Sequence, residues 1–331
     1  MSEVLLQYTR GGKVESRHYA DVAVVDVTGK MIWEFGDGTR PMFWRSAAKP
    51  FQVLPLIEQG GMDRFGLTEE EVAFMVSSHS GETQHVNLAF SVLNKIGLTI
   101  DALACGAAKP MNSKMAKELT VQQLPYQVVH NACSGKHSGM LALAQMLQIE
   151  PAGYTELSHP VQQIMHQAVA NSANLQKGEV DTGIDGCGVP VFYLPLYNMA
   201  WAYARLAKPE QGQWGERETA VRTIRNAMLA HPQVVAGSKR FDTVLMNVTK
   251  GRILAKIGAE AVYCLASVPD GIGVSFKIDD GSYRAITPAG IAILKKMDLL
   301  SAAEYQTLIE YFPPILKNHR GDIIGTVEAA I

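Results

Sequence analysis

The sequence predicts an α/β protein: a single-domain sheet flanked by helices, with a helical middle region over roughly residues 82–250. Three observations predict it. Short β-branched and aromatic runs separated by tight turns open the chain, the same texture returns from Arg252 onward, and the stretch between them carries apolar residues at helical spacing. A chain of 331 residues that is 47% hydrophobic can bury a large core. No internal repeat, low-complexity segment or Pro/Ser-rich linker divides it, so residues 1–331 read as one domain.

Residues 23–27 and 31–35 flank Thr28-Gly29-Lys30 and form an antiparallel hairpin. A polar loop at 36–40 leads through Phe43-Trp44 into a helix that stops at Gly60-Gly61. Thr68-Glu69-Glu70-Glu71 is a capping box, in which threonine and the glutamate three residues on satisfy orphan N–H groups of the next helix. Val86, Ala89, Phe90 and Leu93 place an apolar stripe on the core side of a helix over 82–96. Residues 135–149 are apolar on most sides and predict a central, buried helix. Ser158 with Pro160 opens another helix, followed by helices over 196–206 and 216–229. Strands return at 253–256, 262–265 and 274–278, the last closed by Asp279-Asp280-Gly281. Helices over 288–296 and 301–312 precede a strand at 323–327, which pairs with the opening hairpin to complete the sheet.

Composition excludes several classes of function. Thirty Lys and Arg against 32 Asp and Glu leave a net charge of -2, so no basic field exists for a nucleic acid or an anionic membrane. No apolar run reaches the roughly 20 residues that cross a bilayer, and residues 1–17 lack a hydrophobic signal region, which predicts a cytoplasmic protein. Four cysteines are too few for a disulfide framework and are read as thiols.

Six segments carry candidate chemistry. Arg45-Ser46-Ala47-Ala48-Lys49-Pro50 places a hydroxyl and an amine three residues apart at a helix start, where a lysine of lowered pKa can act as the serine's base. The same spacing fits a serine cap beside a solvated lysine. Ser77-Ser78-His79-Ser80-Gly81-Glu82 and the strand-ending Lys256-Ile257-Gly258 add a second serine and a late lysine, available to support Ser46 or Ser78 or to hold a substrate carboxylate. A Ser/Gly turn and an unrelated strand lysine would look alike. Asn131-Ala132-Cys133-Ser134-Gly135-Lys136-His137 and Asp185-Gly186-Cys187-Gly188 combine two thiols with nitrogen donors, which suggests zinc without a standard zinc spacing. Two buried thiols, or Cys133 as a nucleophile activated by His137, fit the same residues. Cys105 and Cys264 lie among Ala, Leu and Val and are assigned to the core. Residues 236–243 lead into a helix, with Asp242 as its cap and Arg240 either a surface arginine or a carboxylate partner.

With Arg-Ser-x-x-Lys-Pro, Ser-His-Ser-Gly-Glu, Cys-Ser-Gly-Lys-His-x-Gly-Met, Asp-Gly-Cys-Gly-x-Pro, Arg-Phe-Asp-Thr and Lys-x-Gly-Ala-Glu in this order, the chain resembles the Rhizobium-type (class 3) L-asparaginases from Arg45 to Glu260. The likeness extends more loosely to Ile-Asp-Asp-Gly at 278–281. It implies a fold similar to serine β-lactamases and glutaminases, a homodimer, and hydrolysis of L-asparagine through two tandems, Ser46 with Lys49 and Ser78 with Lys256. It also implies zinc at Cys133, Lys136 and Cys187, with Arg45, Ser80, His137 and Asp185 near substrate or metal. Ser46 is the expected nucleophile and Ser78 the other candidate. Ala108 stands where histidine is expected and Ala261 where glycine is. These departures leave a glutaminase, another β-lactamase-like serine amidohydrolase and a non-catalytic amino-acid-binding relative as alternatives.

Overall fold

A computed structural model describes residues 1–331. The main sheet is antiparallel throughout. Its strands run β1 (Glu3–Arg10), β2 (Lys13–Asp26) and β3 (Met31–Phe35) at the start, β7 (Ile253–Ile257), β8 (Val262–Ser267) and β9 (Ile272–Ile278) late, and β10 (Ile315–Lys317) and β11 (Ile323–Ala329) last. The remaining strands, β4 (Pro41–Phe43), β5 (Asp181–Ile184) and β6 (Pro190–Pro195), form a separate small sheet in the order β4-β6-β5. The order in the main sheet is β10-β11-β1-β2-β9-β8-β7, with β3 on β2.

The β2–β3 hairpin and the late strands form as their patterning requires. β1 was not among the expected strands, and it is β1 that links the last strand to the hairpin: Leu6 lies opposite Ala329 and Tyr8 opposite Val327. Residues 20–25 of β2 and all of β7 and β8 are buried, so the sheet centre is covered on both faces and its residues are mostly apolar without alternation, with Asp21 and Lys256 among the buried exceptions. The helix Leu196–Ala207 packs against β2, β8 and β9. Gly273 in β9 makes that approach possible, because a Cβ there would sit 1.9 Å from the Ala200 carbonyl oxygen.

Several expected details change. The helical middle is interrupted by β5 and β6, whose Gly183, Pro190 and Pro195 read as loop in isolation. Gly60 ends one helix in a left-handed turn, but a further turn of helix, Gly61–Phe65, begins at once. In the helix Thr83–Lys95 the buried positions are His85, Leu88, Ala89, Val92 and Leu93, which leaves Phe90 one residue off the core face and 47% exposed. The helix Pro160–Ser172 is capped by His159 and not by Ser158. Arg240, not Asp242, is the cap residue of the helix Phe241–Val248, and Asp242 instead accepts the Ile257 N–H at 2.8 Å, tying that helix to β7.

Candidate active site

The small sheet gathers the segments that carry chemistry. β5 and β6 are joined by the turn Asp185–Gly188, closed by Asp185 N–H to Val189 O at 2.8 Å and Gly188 N–H to Asp185 O at 2.9 Å. β4 pairs with β6 and delivers Trp44 and Arg45 beside that turn. Trp44 is fully buried, its N–H bonded to Phe192 O, and the chain then passes through Arg45 at φ 53° before Ser46. A left-handed arginine is a strained position. It is held by the ion pair of its guanidinium with Asp185 at 2.9 Å.

Ser78 follows the helix Glu69–Met75, and Lys256 occupies β7. Lys256 Nζ donates to Ser78 Oγ at 2.7 Å and to Ile257 O at 2.9 Å. Lys49 Nζ donates to the same Ser78 Oγ at 3.1 Å and to Ser77 O at 2.6 Å. Ser78 thus stands between two buried amines, whereas the Ser46 hydroxyl makes no bond to the Lys49 amine. The solvated-lysine readings fall, since Lys49 and Lys256 are 1% and 0% exposed. Burial lowers the pKa of both lysines, that of Lys256 well below its usual value with Lys49 adding to the effect.

Ser46 and Ser78 line one cavity of about 210 Å³, together with Asn131, Cys133, Asp185, Cys187, Arg240 and Tyr283. A larger apolar groove of about 410 Å³ near Pro288 and Phe312 lies away from these groups. Gly258 closes the end of β7 against Trp44, where a Cβ would meet the Trp44 carbonyl at 3.0 Å.

Cys133 caps the helix Ser134–Met146, and its sulfur, that of Cys187 and an Asp185 oxygen lie within 4.8 Å of one another. Lys136 Nζ is 3.2 Å from Asp185 Oδ2. The hydrogen bond from Cys187, aided by Lys49 and Lys136, pulls the Cys133 thiol well below its ordinary pKa despite burial, while the same pairing raises Cys187. Burial works against the Lys136 ammonium, but the Cys133, Cys187 and Asp185 charges outweigh it and hold the proton on. Two sulfurs, an amine and a carboxylate fit a tetrahedral zinc ion, provided Lys136 gives up its proton to ligate.

Two expected site residues lie behind the cavity wall. His137 is fully buried, its Nδ1 2.6 Å from Tyr154 Oη and its Nε2 without a hydrogen-bond partner in the chain, and it makes no hydrogen bond to Cys133. Ser80 donates to Ala236 O at 2.9 Å. Cys105 and Cys264 are buried, and burial raises both thiols to about 11. Met111 and Tyr283 reach the cavity from segments outside the motifs, and Arg240 reaches it from Arg-Phe-Asp-Thr. Of these only Arg240 gave a signal in the sequence, where it reads as either a surface arginine or a carboxylate partner before a helix.

Residues 6–329 match the model of the L-asparaginase II family. The chain belongs to the L-asparaginase II family. It is accordingly an amidohydrolase with a small-molecule substrate, and no helix in it is long and apolar enough to cross a membrane. No curated protein matches this L-asparaginase II chain. Among solved structures it is similar to a β-lactamase from Mycobacterium bovis at 12% identity, with a TM-score of 0.40 over 88% of this chain and 94% of that one. It is also similar to Mglu at 15% identity, with a TM-score of 0.39 over 84% and 61%. The LovD6 mutant of simvastatin synthase from Aspergillus terreus gives 12%, 0.38, 88% and 91% for the same quantities.

Proposed function

We propose that this chain hydrolyses L-asparagine to aspartate and ammonia, with Ser46 as the attacking hydroxyl. The observation that carries the reading is the Ser78 hydroxyl held by Lys256 and Lys49 in a cavity that Ser46 also lines, within an L-asparaginase II chain. A buried lysine that is neutral can take a proton. Ser46 Oγ bonds to the side-chain amide carbon while its proton passes through Ser78 to a lysine. That proton then goes to the leaving nitrogen, the C–N bond breaks, ammonia departs and an aspartyl ester remains on Ser46. Water, deprotonated by the same base, attacks the ester and releases aspartate, restoring the hydroxyl. The Ala259 N–H, which has no backbone acceptor and lies on the cavity wall, suits the oxyanion of both tetrahedral states.

A second reading has Ser78 attack, and its contact with both lysines favours that reading. Ser46→Ala and Ser78→Ala are each expected to abolish ammonia release from asparagine, and full activity in both would sink the mechanism. Acid-quenched enzyme carries the aspartyl group on the peptide containing Ser46 in the first reading and on the one containing Ser78 in the second. Faster release from glutamine, acylation by a β-lactam, or thermal stabilisation by asparagine without turnover would each replace asparagine hydrolysis by an alternative.

Zinc belongs to the same proposal, held by Cys133, Cys187, Lys136 and Asp185. When bound it would supply a positive charge that orients the substrate, since two thiolates leave the ion a weak source of hydroxide. One zinc per chain in freshly purified protein, lost in Cys133→Ser, is the expected result. A homodimer completes the proposal, and sedimentation equilibrium tests it.

A further inference from the structure

Arg240 differs from the other cations of the site. Arg45 and Lys136 both pair with Asp185, and Lys49 and Lys256 bond to Ser78 and to backbone carbonyls. Arg240 pairs with no carboxylate of the chain, and its one polar contact is a weak one from Nη1 to Met111 Sδ at 3.5 Å. It is half-buried and lines the cavity that Ser46 and Ser78 line.

Its position is fixed from several sides. Ser78 N–H donates to Val235 O at 2.9 Å, and Ser80 Oγ to Ala236 O at 2.9 Å. Gly237, at φ 122°, lies so close to Ser80 that a Cβ would stand 2.3 Å from its hydroxyl oxygen. Glu82 accepts from Ser238 N–H at 2.8 Å and from its hydroxyl at 2.9 Å, and Thr243 Oγ1 donates to Gly237 O at 2.7 Å. The Ser-His-Ser-Gly-Glu segment therefore locks Ser78 and the loop bearing Arg240 into one unit. Asp185, the one carboxylate on the cavity wall, is already shared by two cations, so the cavity keeps one unmatched guanidinium. A planar fork of donors facing open space matches a carboxylate through two parallel hydrogen bonds.

We infer that Arg240 binds the α-carboxylate of the substrate and so sets the preference for amino-acid amides over simple amides. The inference rests on this cavity being the place of amide hydrolysis. Wild type, Arg240→Met and Arg240→Lys are compared for ammonia release from L-asparagine and from 3-aminopropanamide, which is asparagine with its α-carboxylate replaced by hydrogen. The preference for asparagine in kcat/KM is expected to fall about 100-fold in Arg240→Met, mainly through KM, with Arg240→Lys in between. An unchanged preference, an equal loss on both amides, or a loss confined to kcat overturns it. If the wild type releases no ammonia from asparagine, the proposed activity falls, and melting decides the inference. L-Aspartate then stabilises the wild type more than β-alanine does and loses that advantage in Arg240→Met, while equal stabilisation of the wild type by both overturns it.

Discussion

Lys256→Met separates the burden of burying an amine from its chemical use. Lys256 is fully buried, and its amine gives two hydrogen bonds, to Ser78 Oγ and Ile257 O. Methionine has a similar length and flexibility, so it fills the same channel without opening a cavity. Loss of the two bonds costs about 1 kcal/mol each. Against this, replacing a buried ionisable group by an apolar one of like volume stabilises by about 1–4 kcal/mol. The net lies between a small loss and about 2 kcal/mol of gain, equivalent to a rise of at most about 3 °C in Tm for a chain this size. Ammonia release is expected to fall about 1000-fold. The pH dependence has a definite sign. Burial lowers the folded pKa of Lys256 below the ordinary value of about 10.4, so the unfolded chain binds one more proton in the window between them, and wild-type stability rises with pH there. The variant lacks that slope, so any advantage shrinks as pH climbs from about 7 towards about 10. Calorimetric melting across this range and a coupled ammonia assay read both effects. A variant that melts many degrees lower, or that keeps its rate, would show Lys256 to be a structural post.

Asp185→Asn leaves Arg45 and Lys136 without their shared counter-charge and should destabilise by about 3 kcal/mol in urea titrations near neutral pH. Although burial opposes it, Lys136 and Arg45 hold the Asp185 carboxyl far below the usual range. Its contribution is therefore present above about pH 3.9 and lost as pH falls through the folded value, so the gap between variant and wild type closes only in strong acid. Gly135→Ala should destabilise by more than about 3 kcal/mol or prevent folding, because its Cβ would lie 2.0 Å from the Phe74 carbonyl oxygen. Leu93→Ala should cost about 2–5 kcal/mol in the same titration, whereas Phe90→Ser should stay within about 0.5 kcal/mol. Equal effects at these two positions would mean that the helix faces the core differently.

The strands and helices of strong pattern were legible because local propensity and tertiary position agree in them, as in the capping box at Thr68 and the apolar helix from Ser134. β5 and β6 were not, since their stability comes from pairing with each other and with β4, which no window of sequence contains. The site was legible as a set of residue types and not as a set of contacts. Spacing put Lys49 with Ser46, yet a lysine stem is long, and its amine lies at Ser78 from a distant segment. Ser80 and His137 have reactive side chains, but both are buried and neither lines the cavity, Ser80 bonding to the Ala236 carbonyl and His137 Nδ1 to Tyr154. Arg240, which the sequence leaves as either a surface arginine or a carboxylate partner, is turned by the fold into the cavity.

The strand order also governs how the protein is made. β2 pairs with β9, where Ala20 faces Ile278, so a growing chain must add over 250 residues after β2 before this pairing can form. At ordinary rates of synthesis that is roughly 10–50 s during which β2 presents an unpaired, strongly apolar edge. Asp21 interrupts that apolar run and is buried in the finished sheet, where it accepts the Asp37 N–H at 2.9 Å. A charge in that position acts as a gatekeeper against aggregation of the nascent chain. Both serines leave the ribosome early, but the strand carrying Lys256 follows much later, so the catalytic cavity is completed only when synthesis has passed β9.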